Sequence, residues 1–354
     1  MAQKSLNSNS QNSFSMPAPI CRTANPSSEF YSLFSEEELL GIIHALESRQ
    51  EIPLKYSYKG RGANIWNSYY SKYIIPKWYR TSSVEIDLLR DNFESITKNL
   101  KVCNKFNIVD VGAGNSYPVK NFIHKLNKLT VINKYIALDI SEELLKLSNL
   151  NFRKWFPQIE YKSDIIDIEN HCLLKVLSKN QANLETDNTP KIILHLGVTM
   201  GNHHNRIGVL KNFRDSMGKN DVLVFTNEIG SNSNWDGRVR GGFQYHAEQI
   251  YEWIKNKFGI RAEDCELVRK YDAKTDSLVA NIKFRDDYTI KFNLKEIDKT
   301  IEISQGEEIT IWRHHKHEIP ELLQEIEQAG LQLVHYGTNK YLSHIMVICE
   351  IASN

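Results

Sequence analysis

The chain has no run of 18 or more apolar residues, the length a helix needs to cross a bilayer, so no membrane span is expected. The amino terminus lacks a basic patch followed by an apolar stretch, which speaks against a secretory leader. Neither sign of charge dominates, with 44 Lys and Arg against 43 Asp and Glu. No global field therefore favours nucleic acid or an anionic membrane. Cysteine is scarce: Cys21, Cys103, Cys172, Cys265 and Cys349 are scattered, with no C-x-x-C pair. An odd, dispersed set reads as free thiols in a reducing cytoplasm. The histidines at 203, 204, 314, 315 and 317 match no zinc spacing, and no metal is expected. Solenoid-length repeats are missing too.

One further absence is more informative. The stretch Phe106 to Lys120, FNIVDVGAGNSYPVK, is an apolar strand that ends in an acid and opens into a glycine-rich turn. Its glycines are Gly112 and Gly114; the third glycine of a dinucleotide loop is replaced by Tyr117. A second strand, Tyr135 to Asp139, follows about twenty residues after the turn and also ends in a carboxylate. S-adenosylmethionine has no phosphate and can do without the third glycine. Gly112 and Gly114 would let the backbone approach its amino-acid end with N–H groups directed at it. Asp139 suits the ribose hydroxyls, and a third acid at a strand end, Asp164 followed by Ile165, is placed for the adenine amino group. Three acids at successive strand ends are more specific than one glycine pair.

Around this unit the pattern alternates. Strands are expected at 106–111, 134–139, 159–163, 191–196 and 221–227, with helices at 118–127, 141–153, 168–179 and 204–217. Such alternation argues for a parallel sheet with helices on both faces, and the continuously apolar ILHL and VLVFT fit strands covered on both sides. Residues 1–29, rich in Ser, Asn, Gln and Pro, read as a disordered tail. Ser35 to Glu38 forms a capping box ahead of Leu39, Leu40, Ile43 and Leu46 at helical spacing. An aromatic-rich segment spans Tyr56 to Tyr79, and a second helix is expected from Ser83 to about Leu100. Residues 265–312 read as an antiparallel meander, with turn signals at Asp272 to Asp276 and at Asp286-Asp287. A helix at 318–329 closed by Gly330 and two final strands complete the chain. The domain division this suggests is a substrate lobe of 30–82 with 233–314, and a core of 83–232 with 315–354.

The fourth strand runs into Leu196-Gly197-Val198-Thr199-Met200-Gly201-Asn202-His203-His204. These residues, with Tyr58 to Gly62, Trp66, Pro76 to Tyr79, Gly112 to Ser116, Asp139 and Asp164-Ile165, resemble the ergothioneine-pathway histidine Nα-methyltransferase family. The Gly-x-Thr-x-Gly-Asn signature at 197–202 is the most distinctive match. The resemblance runs from about Leu40 to the carboxyl terminus and implies an α/β, Rossmann-like class I S-adenosylmethionine-dependent methyltransferase core. It further implies a mixed seven-stranded sheet and an inserted α+β substrate-binding lobe. Gly112, Gly114, Ser116, Asp139, Asp164, Ile165 and Gly197 would then serve the cofactor, with Lys120 standing in for a displaced loop lysine. Tyr58, Tyr79 and Asn202 would line the acceptor site. The family reads the histidine ring with a glutamate and a serine; Trp312 and His314 hold those positions here, and Trp235 falls near a tyrosine that helps hold the amine. The acceptor implied is therefore an amino-acid-like small molecule, short peptide or natural-product precursor other than histidine, used by a cytoplasmic monomer.

The chemistry expected is direct displacement of the sulfonium methyl by a neutral nucleophile held in line at about 3–3.5 Å. An α-amine, with an ordinary pKa near 7.7–8.0, is partly neutral at pH 7. Tyrosine is a poor base, so Tyr58 and Tyr79 would orient it. Trp235 and Trp312 could face a cation, and Arg313, Lys316 and His314 could hold a carboxylate. Alternatives are O-methylation of a carboxylate such as a peptide C-terminus, N-methylation of an indole-type metabolite, and a non-catalytic cofactor-binding module.

Overall fold

The computed structural model describes residues 21–78, 82–98, 105–179, 189–237 and 242–352. The elements run β1 (Cys21–Ala24), α1 (Ser28–Leu33), α2 (Glu36–Arg49), α3 (Arg61–Tyr69), α4 (Val84–Asp91) and α5 (Phe93–Thr97). There follow β2 (Lys105–Val111), α6 (Lys120–Leu126), β3 (Val131–Asp139), α7 (Glu142–Trp155), β4 (Glu160–Ile165), α8 (Leu173–Lys179), β5 (Lys191–His195), α9 (Arg206–Asp215) and β6 (Val222–Glu228). The remainder is α10 (Gly242–Phe258), β7 (Cys265–Asp272), β8 (Ser277–Phe284), β9 (Asp287–Leu294), β10 (Ile297–Ile303), β11 (Glu308–His314), α11 (Ile319–Gln328), β12 (Leu331–Thr338) and β13 (His344–Ile351).

Seven strands form one sheet in the order β12-β13-β6-β5-β2-β3-β4. From β6 to β4 every pair is parallel, and β13 is antiparallel to both β6 and β12. Side chains alternate between the faces of the sheet. Phe106, Ile108, Ile192 and Leu194 pack with α4 to α7 on one side, whereas Val109, Val111, Ile193 and Phe225 pack with α8, α9 and α11 on the other. Two buried faces explain why the central strands are apolar throughout. The chain leaves β2 toward β3 on one side, and β5 lies on the other. That reversal opens a crevice at the carboxyl ends of β2 and β5, where ligands bind in open α/β sheets.

A third apolar cluster unites α1, α2 and α10 with two three-stranded sheets, β11-β8-β7 and β1-β9-β10. Here the expected meander is corrected. β7 and β8 form the hairpin foreseen at Asp272 to Asp276, but β8 takes β11 as its other partner and β9 crosses to a different sheet. The burial pattern gives the reason: β8 is buried along almost its whole length and must be flanked on both sides, while β9 alternates. The expected tail also needs correction. Cys21–Ala24 pairs in parallel with β9, and Ser28–Leu33 is a helix capped by the Ser27 hydroxyl, which accepts from the Phe30 amide. Residues 1–20 lie outside the described residues. The helix expected from Ser83 breaks at Asn92, whose backbone leaves the helical region (φ −100°, ψ 11°) while its side-chain and backbone amides both donate to the Leu88 carbonyl.

The capping box at Ser35 and Glu38 is formed, and Gly330 ends α11 at φ +75°. The four described cysteines are free. Among the described residues no helix is long and apolar enough to cross a membrane.

Candidate active site

Two adjoining cavities lie at the carboxyl ends of the strands. The first is walled by the β2–α6 turn, Asp139, the segment from Ile166 to Glu169, and the segment from His195 to Gly197. The second lies toward α2 and β11 and includes Arg49, Glu51, Trp312 and Arg313. Lys55, Tyr58, Glu169, Thr199, Asn202 and His203 line both and form the junction.

The glycine-rich turn works differently from its sequence reading. Gly112 and Gly114 take φ +77° and +54°, the left-handed region where glycine carries no steric penalty. The Gly112 and Ala113 amides, however, donate to the Leu138 carbonyl at 2.7 and 3.1 Å, and the Gly114 amide donates to Asp139 Oδ2 at 2.9 Å. The turn is thereby pinned to the end of β3 rather than presenting its amides outward. A Cβ on Gly114 would lie 2.7 Å from the Trp66 ring, so close approach of α3 is the second reason for glycine. Asp139 Oδ1 accepts from the Ser141 amide at 3.0 Å.

Of the five carboxyls that line this first cavity, three stand out: Asp110, Asp139 and Glu85. Burial pushes Asp110 up to about 7, opposed by the hydrogen bond from Tyr135 and reinforced by the nearby charge of Asp139. Burial also raises Asp139 to about 6 against the amides that bind it. Glu85 rises to about 7 by burial, although the Thr226 hydroxyl donates to it at 2.7 Å. Among the described residues no Lys or Arg forms an ion pair with these three. An acidic cavity of this kind fits a ligand that brings positive charge and hydroxyl donors.

Beneath the turn runs a buried chain. Tyr135 donates to Asp110 Oδ2 at 2.5 Å, and Ser116 Oγ lies 2.9 Å from the Tyr135 hydroxyl and 2.6 Å from Ser148 Oγ. At the end of β5, the ring of His195 approaches the Val111 carbonyl through Nδ1 at 2.9 Å. A carbonyl can only accept, so Nδ1 holds the proton and Nε2 accepts from Nε2–H of His203 at 3.0 Å. Burial and neighbouring His203 lower His195 to about 3 and keep it neutral. Nδ1 of His203 is 3.5 Å from Glu169 Oε1. Lys55 Nζ holds Glu169 at 2.9 Å and Asp167 at 2.8 Å. Burial pushes Glu169 upward, but His203 and Lys55 overcome it and hold its carboxyl well below the usual range.

The sequence-predicted site residues divide. Gly112, Gly114, Asp139, Gly197, Tyr58 and Asn202 line the first cavity, and Trp312 lines the second. Burial, followed by the charge of Asp139, pushes the Tyr58 phenol well above its ordinary value, so it stays protonated. Asp164 and Ile165 line neither cavity: the Asp164 side chain accepts from the Ile165 amide at 2.8 Å. Ile166 and Asp167, just beyond the end of β4 at Ile165, line the first cavity. Ser116 is enclosed in the chain beneath the turn, and Lys120 Nζ sits over the Trp155 ring at 4.7 Å. Trp235 lines neither cavity. Nor does His314, which is buried; its Nδ1 contacts Asn202 Oδ1 at 3.1 Å, and its Nε2 lies 3.5 Å from Glu228 Oε2. Tyr79 lies outside the described residues. Sequence reasoning missed Glu85, Lys55 and Glu169, which belong to no local motif, and gave no such role to His195 and His203, which flank the Gly197–Asn202 signature.

The strand order, the switch-point crevice and the acidic cavity define a class I methyltransferase that uses S-adenosylmethionine. Residues 36–350 match the family described as histidine-specific, S-adenosylmethionine-dependent methyltransferase, and the chain belongs to that family. No curated protein matches it. Solved structures resemble it at the level of overall shape. A methyltransferase from Clostridium acetobutylicum ATCC 824 shares 10% identity at a TM-score of 0.42, covering 82% of this chain and 99% of that one. Magnesium protoporphyrin IX methyltransferase from Synechocystis PCC 6803, with bound S-adenosylhomocysteine, shares 8% at 0.44, covering 84% and 98%. A glycopeptide N-methyltransferase complexed with S-adenosylmethionine shares 8% at 0.36, covering 73% and 92%.

Proposed function

We propose that the enzyme methylates the amine nitrogen of an amino-acid-like small molecule or natural-product precursor other than histidine. The observation that carries this reading is the setting of Asn202 at the junction of the two cavities. Its Oδ1 is engaged by His314 Nδ1–H, so its side-chain NH2 is the group left to donate to an acceptor. Tyr58 stands in the same wall and, held protonated, orients rather than abstracts a proton. Glu169 at the junction, its pKa held low by His203 and Lys55 against burial, is a further acceptor for an amine.

S-adenosylmethionine supplies a methyl group on a sulfonium sulfur, which leaves without further activation. Asp139 would hold its ribose, and Asp110 and Glu85 would face its cationic end. Tyr58 and Asn202 fix the acceptor so that little orientational entropy remains to be lost in the transition state. We further assign the acceptor half of the site to residues 30–82 with 233–314. Trp312 where the family has a ring-reading carboxylate supports an acceptor other than histidine, since an indole cannot accept from an imidazole N–H.

A labelled-methyl transfer screen over amino acids, amines and short peptides tests this reading. Product carrying the methyl on nitrogen is expected. Methyl on oxygen, or turnover of histidine above all other acceptors, overturns it.

A further inference from the structure

The second cavity contains a charge arrangement that the methyl-transfer site does not use. Arg313, 8% exposed, forms part of its wall. Its Nη2 donates to Glu51 Oε2 at 3.3 Å, Asp272 Oδ2 is 4.0 Å from Nη1, and Nε and Nη1 have no hydrogen-bond partner among the described residues. Arg49 reaches the same Glu51 oxygen at 3.7 Å. Two guanidinium groups thus share one buried carboxylate. Lys55, the ammonium group of this wall, is held by Asp167 and Glu169. A buried guanidinium with unfilled donors is unfavourable until an anion completes its bonds, and carboxylates match its planar fork.

We propose that this pair, Arg313 with Arg49, is a carboxylate-binding subsite for the methyl acceptor. It rests on the reading of the adjoining junction as the amine site. Arg313 lines only the second cavity, so the acid it binds is an anchor and not the methylated group. The acceptor is then an amino acid or ω-amino acid whose carboxylate lies toward α2 while its amine lies at Asn202. Lys316 and His314, the other basic residues of this stretch, line neither cavity and instead approach Glu228. Trp312 flanks the subsite and would cover the carbon skeleton between the two ends.

The test uses the full chain, labelled with 15N-arginine and saturated with S-adenosylhomocysteine, and follows the arginine Nε–H resonances. Arg313→Lys identifies the resonance of Arg313. Glycine, 4-aminobutanoate and 6-aminohexanoate are titrated as probes, with 4-aminobutan-1-ol as the control without an acid. A saturable shift of the Arg313 signal by at least one acid, and none by the amino alcohol, is expected. Response to glycine assigns the α-carboxylate to the subsite; response only to the longer acids assigns a remote one. Arg313→Met, which lacks the reporting resonance and is therefore titrated by calorimetry, should weaken that probe by about 10- to 100-fold. Glu51→Gln should tighten it by roughly 3- to 10-fold, a gain that damage to the fold does not mimic. No shift with any acid, an equal shift with the amino alcohol, or unchanged affinity in Glu51→Gln overturns the proposal. The readout needs no turnover, so a failure of N-methylation and a failure of this subsite are separately visible.

Discussion

Nδ1 of His314, at the end of β11, donates to Oδ1 of Asn202 at 3.1 Å and joins residues 112 positions apart in the chain. A carboxamide oxygen can only accept, so this bond fixes which end of Asn202 faces the junction of the cavities. His314 thereby acts through Asn202 rather than touching the acceptor. Replacing His314 with Phe should raise the acceptor KM about tenfold while S-adenosylhomocysteine affinity stays unchanged, and His314→Gln should recover part of the loss. Steady-state kinetics with parallel calorimetry check this; equal losses in both ligands would mean that the substitution had disturbed the fold.

Gly201 makes that contact reachable. A Cβ there would lie 2.3 Å from the His315 carbonyl and 2.8 Å from Cε1 of His314. The His315 amide also donates to the Gly201 carbonyl at 2.8 Å, so backbone meets backbone with no room for a side chain. Gly201→Ala should push β11 off the Asn202 turn and reproduce the His314→Phe phenotype, with a further loss of stability of about 1–3 kcal/mol from overpacking. Chemical denaturation alongside kinetics measures both. A stable variant with an unchanged KM would contradict the role given to this glycine.

Asp139 binds the Gly114 and Ser141 amides while facing the first cavity. Asp139→Ala should therefore abolish cofactor binding in calorimetry, a loss of at least about 100-fold. Asp164→Ala, at a residue that lines neither cavity, should leave cofactor affinity within about twofold. If the two variants behaved alike, the assignment of the cavity wall to Asp139 and Asp167 would be wrong.

The methyltransferase half of the chain was largely legible. Strands buried on both faces are continuous apolar runs, and the glycine turn and its following acid are local in sequence. That Asp167 and not Asp164 lines the first cavity shows the limit, because the residue at which a strand leaves its sheet depends on neighbouring strands. β8 pairing with β11 rather than β9 is likewise non-local: both candidates carry alternating apolar residues, and nothing in their spacing selects between them. Glu85, Lys55 and His203 sit on separate elements and meet only through folding. No spacing rule could gather them.

The three raised carboxyls give the first cavity a pH dependence with a definite sign. Burial holds Asp139 near 6 and Asp110 and Glu85 near 7, whereas in the unfolded chain they ionise near pH 4. Between those limits the ligand-free folded state carries more protons than the unfolded one, so its stability falls as pH rises. A cationic cofactor prefers the ionised carboxylates, so its affinity should climb over the upper part of the same interval and level off above about pH 7.5. Glu85→Gln removes one titrating group. It should raise the melting temperature of the ligand-free protein at pH 8 by roughly 2–4 °C. It should also flatten the rise in S-adenosylmethionine affinity. Calorimetric titrations and thermal melts from about pH 5.5 to 8 test both effects. Affinity that falls with increasing pH would show that the cavity binds the cofactor with its carboxyls protonated, contrary to the charge complementarity argued from Asp110, Asp139 and Glu85.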